Sequence, residues 1–385
     1  MRPGLRIALC CLGLYAAAGV SMVFLAVLLG ARGLAAGEVG LVLGLSSLMR
    51  VIGGPLWGRL GDASGRVRLV LAVSSSLAGL ATLGLLGVQG FWPVLGLALL
   101  TAFAASAVMP LSDTVAWRTA QAHGFSFGPV RATGSAAFML AAFGSGFVVQ
   151  RHGQASIAWM IAGAYAATVL LLPYLPDSGP APQPRRNRGG LGFGVLLAIP
   201  AFRLLLLCSA LLQGAHAAYY AFSTLIWQAA GLSSRLIGAF WAEGVLAEIG
   251  VMLLLRHRMG AWSPRGMMLA GAAGGALRWL GTGLTSDPVL LAVLQPLHAI
   301  SFALPYLASL RILAEECPSE YAGAAQGMHT ALGISAPLGV LMAFCAAAYP
   351  VWGGRIFLAM AALCALAVWP AARLGDGSVP RFSAA

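Results

Sequence analysis

Residues 58–66 read GRLGDASGR, a short polar stretch between two long apolar runs. The runs cover 38–58 and 67–88, each about the 20 residues that a helix needs to cross a bilayer. Such a stretch predicts a turn at the membrane surface joining two spans. Gly58 and Gly61 let helices approach and the chain reverse. Asp62 can meet helix N-termini or an arginine, and Arg66, after Gly65, can meet carboxylates or C-terminal carbonyls. A turn carrying both charges can latch the ends of neighbouring helices in one of two states.

Working outward, the whole chain has the same character. Of its 385 residues 59% are hydrophobic and only 9% charged, with mean hydropathy +0.86. A soluble domain carries about 25% charged residues, so this is a polytopic membrane protein. Apolar runs lie near 6–30, 38–58, 67–88, 92–117, 130–150 and 155–175, and again near 203–230, 234–255, 266–286, 288–313, 326–349 and 353–373. The first is too long for a signal peptide and reads as a span. The expected fold is all-α: twelve transmembrane helices in two six-helix bundles, 1–176 and 199–385. Residues 177–198, rich in Pro, Gly and Arg, form a linker between them.

The net charge of +12 comes from arginine alone, since the chain has no lysine. With the N-terminus inside, seventeen of the 23 arginines fall in cytoplasmic segments and four (Arg32, Arg151, Arg235, Arg355) in the opposite loops. This asymmetry predicts a multi-pass protein of a bacterial inner membrane with both termini cytoplasmic. The arginines would touch anionic lipid, not nucleic acid. The six cysteines lack zinc-like spacing and read as packing residues. There is no P-loop, HExxH, GxSxG or Asp-rich metal motif, so no cofactor, metal or enzymatic activity is expected.

Polar groups inside the apolar runs are the candidates for function, because an ionised group in hydrocarbon costs about 2.5–3.5 kcal/mol on insertion scales. Arg50 and Asp113 have opposite sign in the second and fourth runs and suggest an ion pair, structural or gating. On a continuous helix Gln213, His216, Tyr220, Thr224 and Trp227 fall within roughly 80° of one another, a polar and aromatic stripe. Glu243 and Glu248 follow in the next run, about 140° apart. One would pair with Arg278 and the other face the path as a proton carrier. His298 adds a titratable group in the tenth run. An offset of 195 residues lays Pro110 on Pro305, Gly128 on Gly323, and the loop from Gly58 on the basic loop 253–261. That suggests a six-plus-six repeat with a site near the midplane.

The 58–66 stretch resembles the signature loop of the major facilitator superfamily: a glycine, an aspartate four residues on, then Gly-Arg. It departs from that pattern at Ala63, where the family usually has a base. The stretch QGAHAAYYAFSTLIWQAAG, at 213–231, is similar to the phenylpropionate permease family, as are 50–53, 110–113, 130–135, Arg278-Trp279 and Leu297-His298. The resemblance implies twelve helices, proton symport and an aromatic monocarboxylate as substrate. Glu248 matches the family pattern, and Glu243 does not. The reading is a monomeric secondary transporter importing a small aromatic carboxylate such as 3-phenylpropionate with protons. Gln213, His216, Arg278 and His298 would bind the acid, Tyr220 would line the ring, and Glu248, with Glu243 and Asp113, would couple protons. Proton-driven efflux of drugs or sugars, or nucleoside or sugar symport, fits the same fold. A non-transporting receptor or an intramembrane enzyme is a more distant reading.

Overall fold

The computed structural model describes residues 3–124, 127–175, 193–254 and 262–375. Most of the linker, and the basic loop 255–261, lie outside them. The described residues hold no strand. In chain order the helices are α1 (Pro3–Ala31), α2 (Ala36–Ser64), α3 (Val67–Gly84), α4 (Phe91–Ala105), α5 (Val108–His123), α6 (Phe127–His152) and α7 (Ala155–Leu171). Then come α8 (Phe193–Ala198), α9 (Pro200–Gly214), α10 (Ala217–Ala229), α11 (Ser234–Leu254) and α12 (Pro264–Leu284). The last are α13 (Pro288–Leu294), α14 (Leu304–Glu316), α15 (Ala322–Met328), α16 (Ala336–Trp352) and α17 (Ile356–Ala372).

Among the described residues, ten stretches are long and apolar enough to cross a membrane. One of them, Ala322–Ala372, contains α15, α16 and α17, enough chain for two crossings, and the 21-residue α12 comes on top. The chain is thus a multi-pass helical membrane protein of the architecture its apolar runs implied.

Several runs that looked continuous are interrupted. The fourth breaks between α4 and α5, the seventh between α9 and α10, and the tenth after α13. π-helical turns occupy Ala299–Ala303 and His329–Ser335. A break in hydrocarbon frees carbonyls that must find donors. At the first break the Ser106 hydroxyl supplies one, donating to Phe103 O at 2.6 Å.

The described chain divides into two compact units. The first comprises Met1–Pro184 and Tyr220–Ala242, and the second Arg185–Tyr219 and Glu243–Ala385. In the first, α1 packs on α6 and α7, and α2 and α3 on α4. Without a hydrophobic drive between helices in lipid, close approach needs small residues. A Cβ at Gly13 would sit 2.6 Å from Ala164 O of α7, and one at Gly134 2.6 Å from the Tyr15 ring. The segment 220–242 joins this unit through Thr224, which donates to Val23 O at 2.7 Å, and through Arg235 over the Phe147 ring at 5.2 Å.

The 58–66 stretch differs from expectation. It is not a loop: α2 runs through it to Ser64, since Arg59, Leu60 and Ala63 are good helix formers. Only Gly65 turns the chain, at φ +63°, with its N–H bonded to Gly61 O at 3.1 Å. That left-handed cap suits glycine. Gly61 faces Leu111 of α5, with an added Cβ 3.2 Å from it, whereas Gly58 has nothing within 4 Å and serves no close approach.

Candidate functional site

The second unit is built around α12. Its glycines let three neighbours close in. A Cβ at Gly271 would lie 2.8 Å from Pro305 Cδ of α14, one at Gly275 2.7 Å from Cys364 Sγ of α17, and one at Gly281 2.8 Å from Leu294 of α13. Gly271, Gly275, Arg278 and Thr282 recur every three or four residues, so the closely packed face also carries the arginine. Arg278 is consequently 0% exposed.

Its charge is held by side-chain acceptors and aromatic rings. Nη1 donates to His298 Nδ1 at 2.9 Å and to Ser301 Oγ at 3.4 Å, and Nη2 to Gln295 Oε1 at 3.3 Å. The guanidinium carbon lies 4.5 Å from the Tyr219 ring centroid and 4.3 Å from that of Trp279. Desolvated cation–π contacts are worth about 2 kcal/mol each, enough to offset much of the cost of burying the charge. Tyr219 also donates its hydroxyl to Gln295 Oε1 at 3.3 Å, which fixes the amide.

The bond to His298 settles a tautomer. Arginine only donates, so His298 Nδ1 must accept and carries no proton. In the neutral ring the proton is then on Nε2, which faces Glu248 Oε2 at 3.8 Å. His298 cannot become doubly protonated without giving up the Arg278 bond. His216 has the opposite tautomer: its Nδ1 donates to Leu212 O at 3.0 Å, where only a donor fits. Its ring stands 5.1 Å from Trp279 and 5.7 Å from His298. Glu248, Arg278, His216 and His298 are therefore one cluster, drawn from α11, α12, the break before α10, and the turn after α13.

The other candidates lie elsewhere. Gln213 is buried, but its amide makes no hydrogen bond among the described residues. Tyr220 belongs to the first unit and stacks on Trp241 at 6.0 Å, while its neighbour Tyr219 covers Arg278. The stripe is interrupted: α9 ends at Gly214 and α10 starts at Ala217, so a uniform 100° step does not carry across. Glu243 is half-buried with no hydrogen bond or ion pair among the described residues. The acid joined to the arginine is Glu248, through His298. No ion pair joins Arg50 to Asp113: Arg50 is exposed, and Asp113 accepts from Tyr15 of α1 at 3.2 Å. That pairing falls because the Tyr15 hydroxyl, not the guanidinium, reaches the carboxylate. Arg66 is exposed, and the side chain of Asp62 lies outside what is described.

Tyr219, Gln295, Ser301 and Phe302 are not among the sequence candidates, and Trp279 enters there only through the family resemblance. A signal for two of them exists: Gln295 and Ser301 lie three residues either side of His298 in an apolar run.

A family description, "MFS_1 like family", matches residues 5–347. The chain belongs to this family of the major facilitator superfamily. It is 31% identical over 351 residues, 89% of this chain and 90% of the other, to a protein of Escherichia coli (strain K12) named "Probable 3-phenylpropionic acid transporter". Two solved structures share its fold at low identity. The nucleoside transporter NupG has TM-score 0.79 and 16% identity, over 97% of this chain and 99% of that one. A D-xylose–proton symporter has TM-score 0.69 and 15% identity, over 97% and 98%. This MFS_1-like protein is a transporter and not an enzyme. The resemblance that its 213–231 stretch suggested is also correct.

Proposed function

We propose that this MFS_1-like protein is a proton-coupled importer of a small aromatic carboxylate, of the class named for its Escherichia coli relative. It would act as a monomer in the bacterial inner membrane, its termini cytoplasmic and its bundles 1–176 and 199–385 joined by the linker 177–198. The observation that carries this reading is one carboxylate, Glu248, 3.8 Å from the imidazole that is bonded to a wholly buried arginine. A buried cation attracts an anion, and two anions are available: Glu248 and the carboxylate of the substrate. Both cannot be held at full strength. Protonation of Glu248 cancels its claim and leaves the positive cluster to the substrate, so acid and proton travel together and no net charge moves. Release of the proton on the far side returns Glu248 to the cluster and expels the substrate. His216 adds its remaining ring nitrogen as a second contact for the acid, and Gln213 an amide. Glu243 and Asp113 have a supporting part in proton uptake, and Arg50, Gly58, Asp62, Gly65 and Arg66 set the balance between conformations.

The test is Glu248→Gln in proteoliposomes, with 3-phenylpropionate as probe. The amide mimics the permanently protonated acid. Exchange of labelled for unlabelled substrate should persist, and accumulation driven by a pH gradient should vanish. A variant that still accumulates substrate with the pH dependence of wild type would refute the role of Glu248.

A further inference from the structure

The π turn at Ala299–Ala303 does more than bend the tenth span. In an α-helix, residues four apart are rotated by about 40° relative to one another. The wider turn brings positions 298, 302 and 306 closer to register, and their rings stack in a ladder. His298 and Phe302 lie 5.1 Å apart with planes 14° from parallel, and Phe302 and Tyr306 6.3 Å apart at 7°. His216 stands edge-on to Phe302 at 5.8 Å. Exposure rises along the ladder, from 8% at His298, through partial burial at Phe302, to 37% at Tyr306. One end is thus bonded to the arginine and the other is exposed.

We propose that the Phe302–Tyr306 section of this ladder is the aryl subsite of the transporter and sets its preference for aromatic over saturated acids. The inference rests on the carboxylate reading of the Arg278–His298 cluster. The geometry gives it a length. Four residues of helix rise about 6 Å, so an acid anchored beside His298 lays a ring along Phe302 when a short aliphatic chain separates carboxyl and ring. An aromatic guest extends the stack with an offset or edge-on contact, a gain that a saturated ring of similar bulk does not make. Phe302 and Tyr306 are specificity residues in this scheme; they hold no proton and no charge.

The test compares 3-phenylpropionate with 3-cyclohexylpropionate in counterflow. They share carboxyl and chain length and differ in the π face. Wild type should prefer the phenyl acid. Phe302→Leu keeps apolar bulk but removes the ring, and should weaken the phenyl acid roughly tenfold while leaving the cyclohexyl acid near its wild-type value. Phe302→Tyr should retain the preference, which guards against a mere folding defect. Tyr306→Leu should show the same loss to a smaller degree, and Tyr306→Phe none. If wild type carries both acids and Phe302→Leu shifts them equally, the ladder is only packing and this inference fails alone. If wild type carries neither, the functional reading fails and the inference with it.

Discussion

Replacing Arg278 with lysine keeps the charge and removes the fork, which separates two accounts of the buried cluster. If the site needs only a positive charge, lysine is a mild change. If it needs a planar donor stacked between rings, lysine is costly. The guanidinium makes one short bond, to His298 at 2.9 Å, two longer ones, to Gln295 and Ser301 at 3.3 and 3.4 Å, and touches Tyr219 and Trp279. A lysine can keep the His298 bond and lie over one ring. It forfeits the Gln295 bond, about 1 kcal/mol, and one cation–π face, about 2 kcal/mol. The sum, about 3 kcal/mol, should lower the unfolding midpoint by about 4 °C in a chain of this size. Arg278→Gln, in contrast, removes the charge and its desolvation cost together, so it should unfold nearer wild type yet bind no carboxylate. The assay is thermal unfolding in detergent, followed by ligand-induced stabilisation with 3-phenylpropionate. A lysine variant that melts within about 1 °C of wild type would refute the fork-and-stack reasoning.

Three shorter expectations follow from other parts of the chain. Gly134→Ala should drive a methyl into the Tyr15 ring and break its bond to Asp113, at a cost of about 1–3 kcal/mol in thermal unfolding; an unchanged midpoint would mean that α1 and α6 part easily. Asp62→Asn should leave expression near normal while reducing transport and shifting the conformational balance; wild-type uptake kinetics would show that the end of α2 is no latch. Single cysteines at 64, 187 and 257 should all react with an impermeant maleimide from the cytoplasmic side, and any one labelled from outside overturns the topology. The native thiols should not interfere. All the described cysteines are buried, and Cys317, beyond the end of α14, has its thiol pushed up to about 11 by burial and by Glu316, so little of the reactive thiolate exists near neutral pH.

What was legible in the sequence was whatever depends on composition over some twenty residues. Apolar runs located the spans because a continuous apolar run of some twenty residues satisfies its backbone in lipid only as a helix, the closed barrel needing short alternating strands. Arg278, Glu248, His216 and His298 stood out for the same reason: each is expensive where it lies. What was hidden depends on single-residue geometry. Nothing in the sequence at 215–216 announces that the helix stops and restarts, and the ring over the arginine is Tyr219, a residue with no polar signal of its own beside Tyr220. The 58–66 stretch was read as a loop for its polarity, although its residues continue a helix until a left-handed glycine ends it. Arg50 and Asp113 were matched by sign, and a phenol from α1 reaches the carboxylate instead. Gln295 and Ser301 escaped notice because neutral polar residues are cheap in a membrane and carry little signal until a charge needs them.

The two π turns also give the chain unusual freedom in its length. Removing one residue from a regular membrane helix rotates everything beyond it by about 100° and turns buried faces toward lipid. Within Ala299–Ala303 or His329–Ser335 the extra residue is already absorbed locally, so its deletion would restore an ordinary helix and leave both flanks in register. A one-residue deletion in Ala299–Ala303 should give a protein that still inserts and folds but whose stacked rings are parted. The same deletion a few positions away should be lethal to the fold. Insertions and deletions, usually the most destructive edits in a membrane span, become at these two turns a means of retuning the site without disturbing the scaffold.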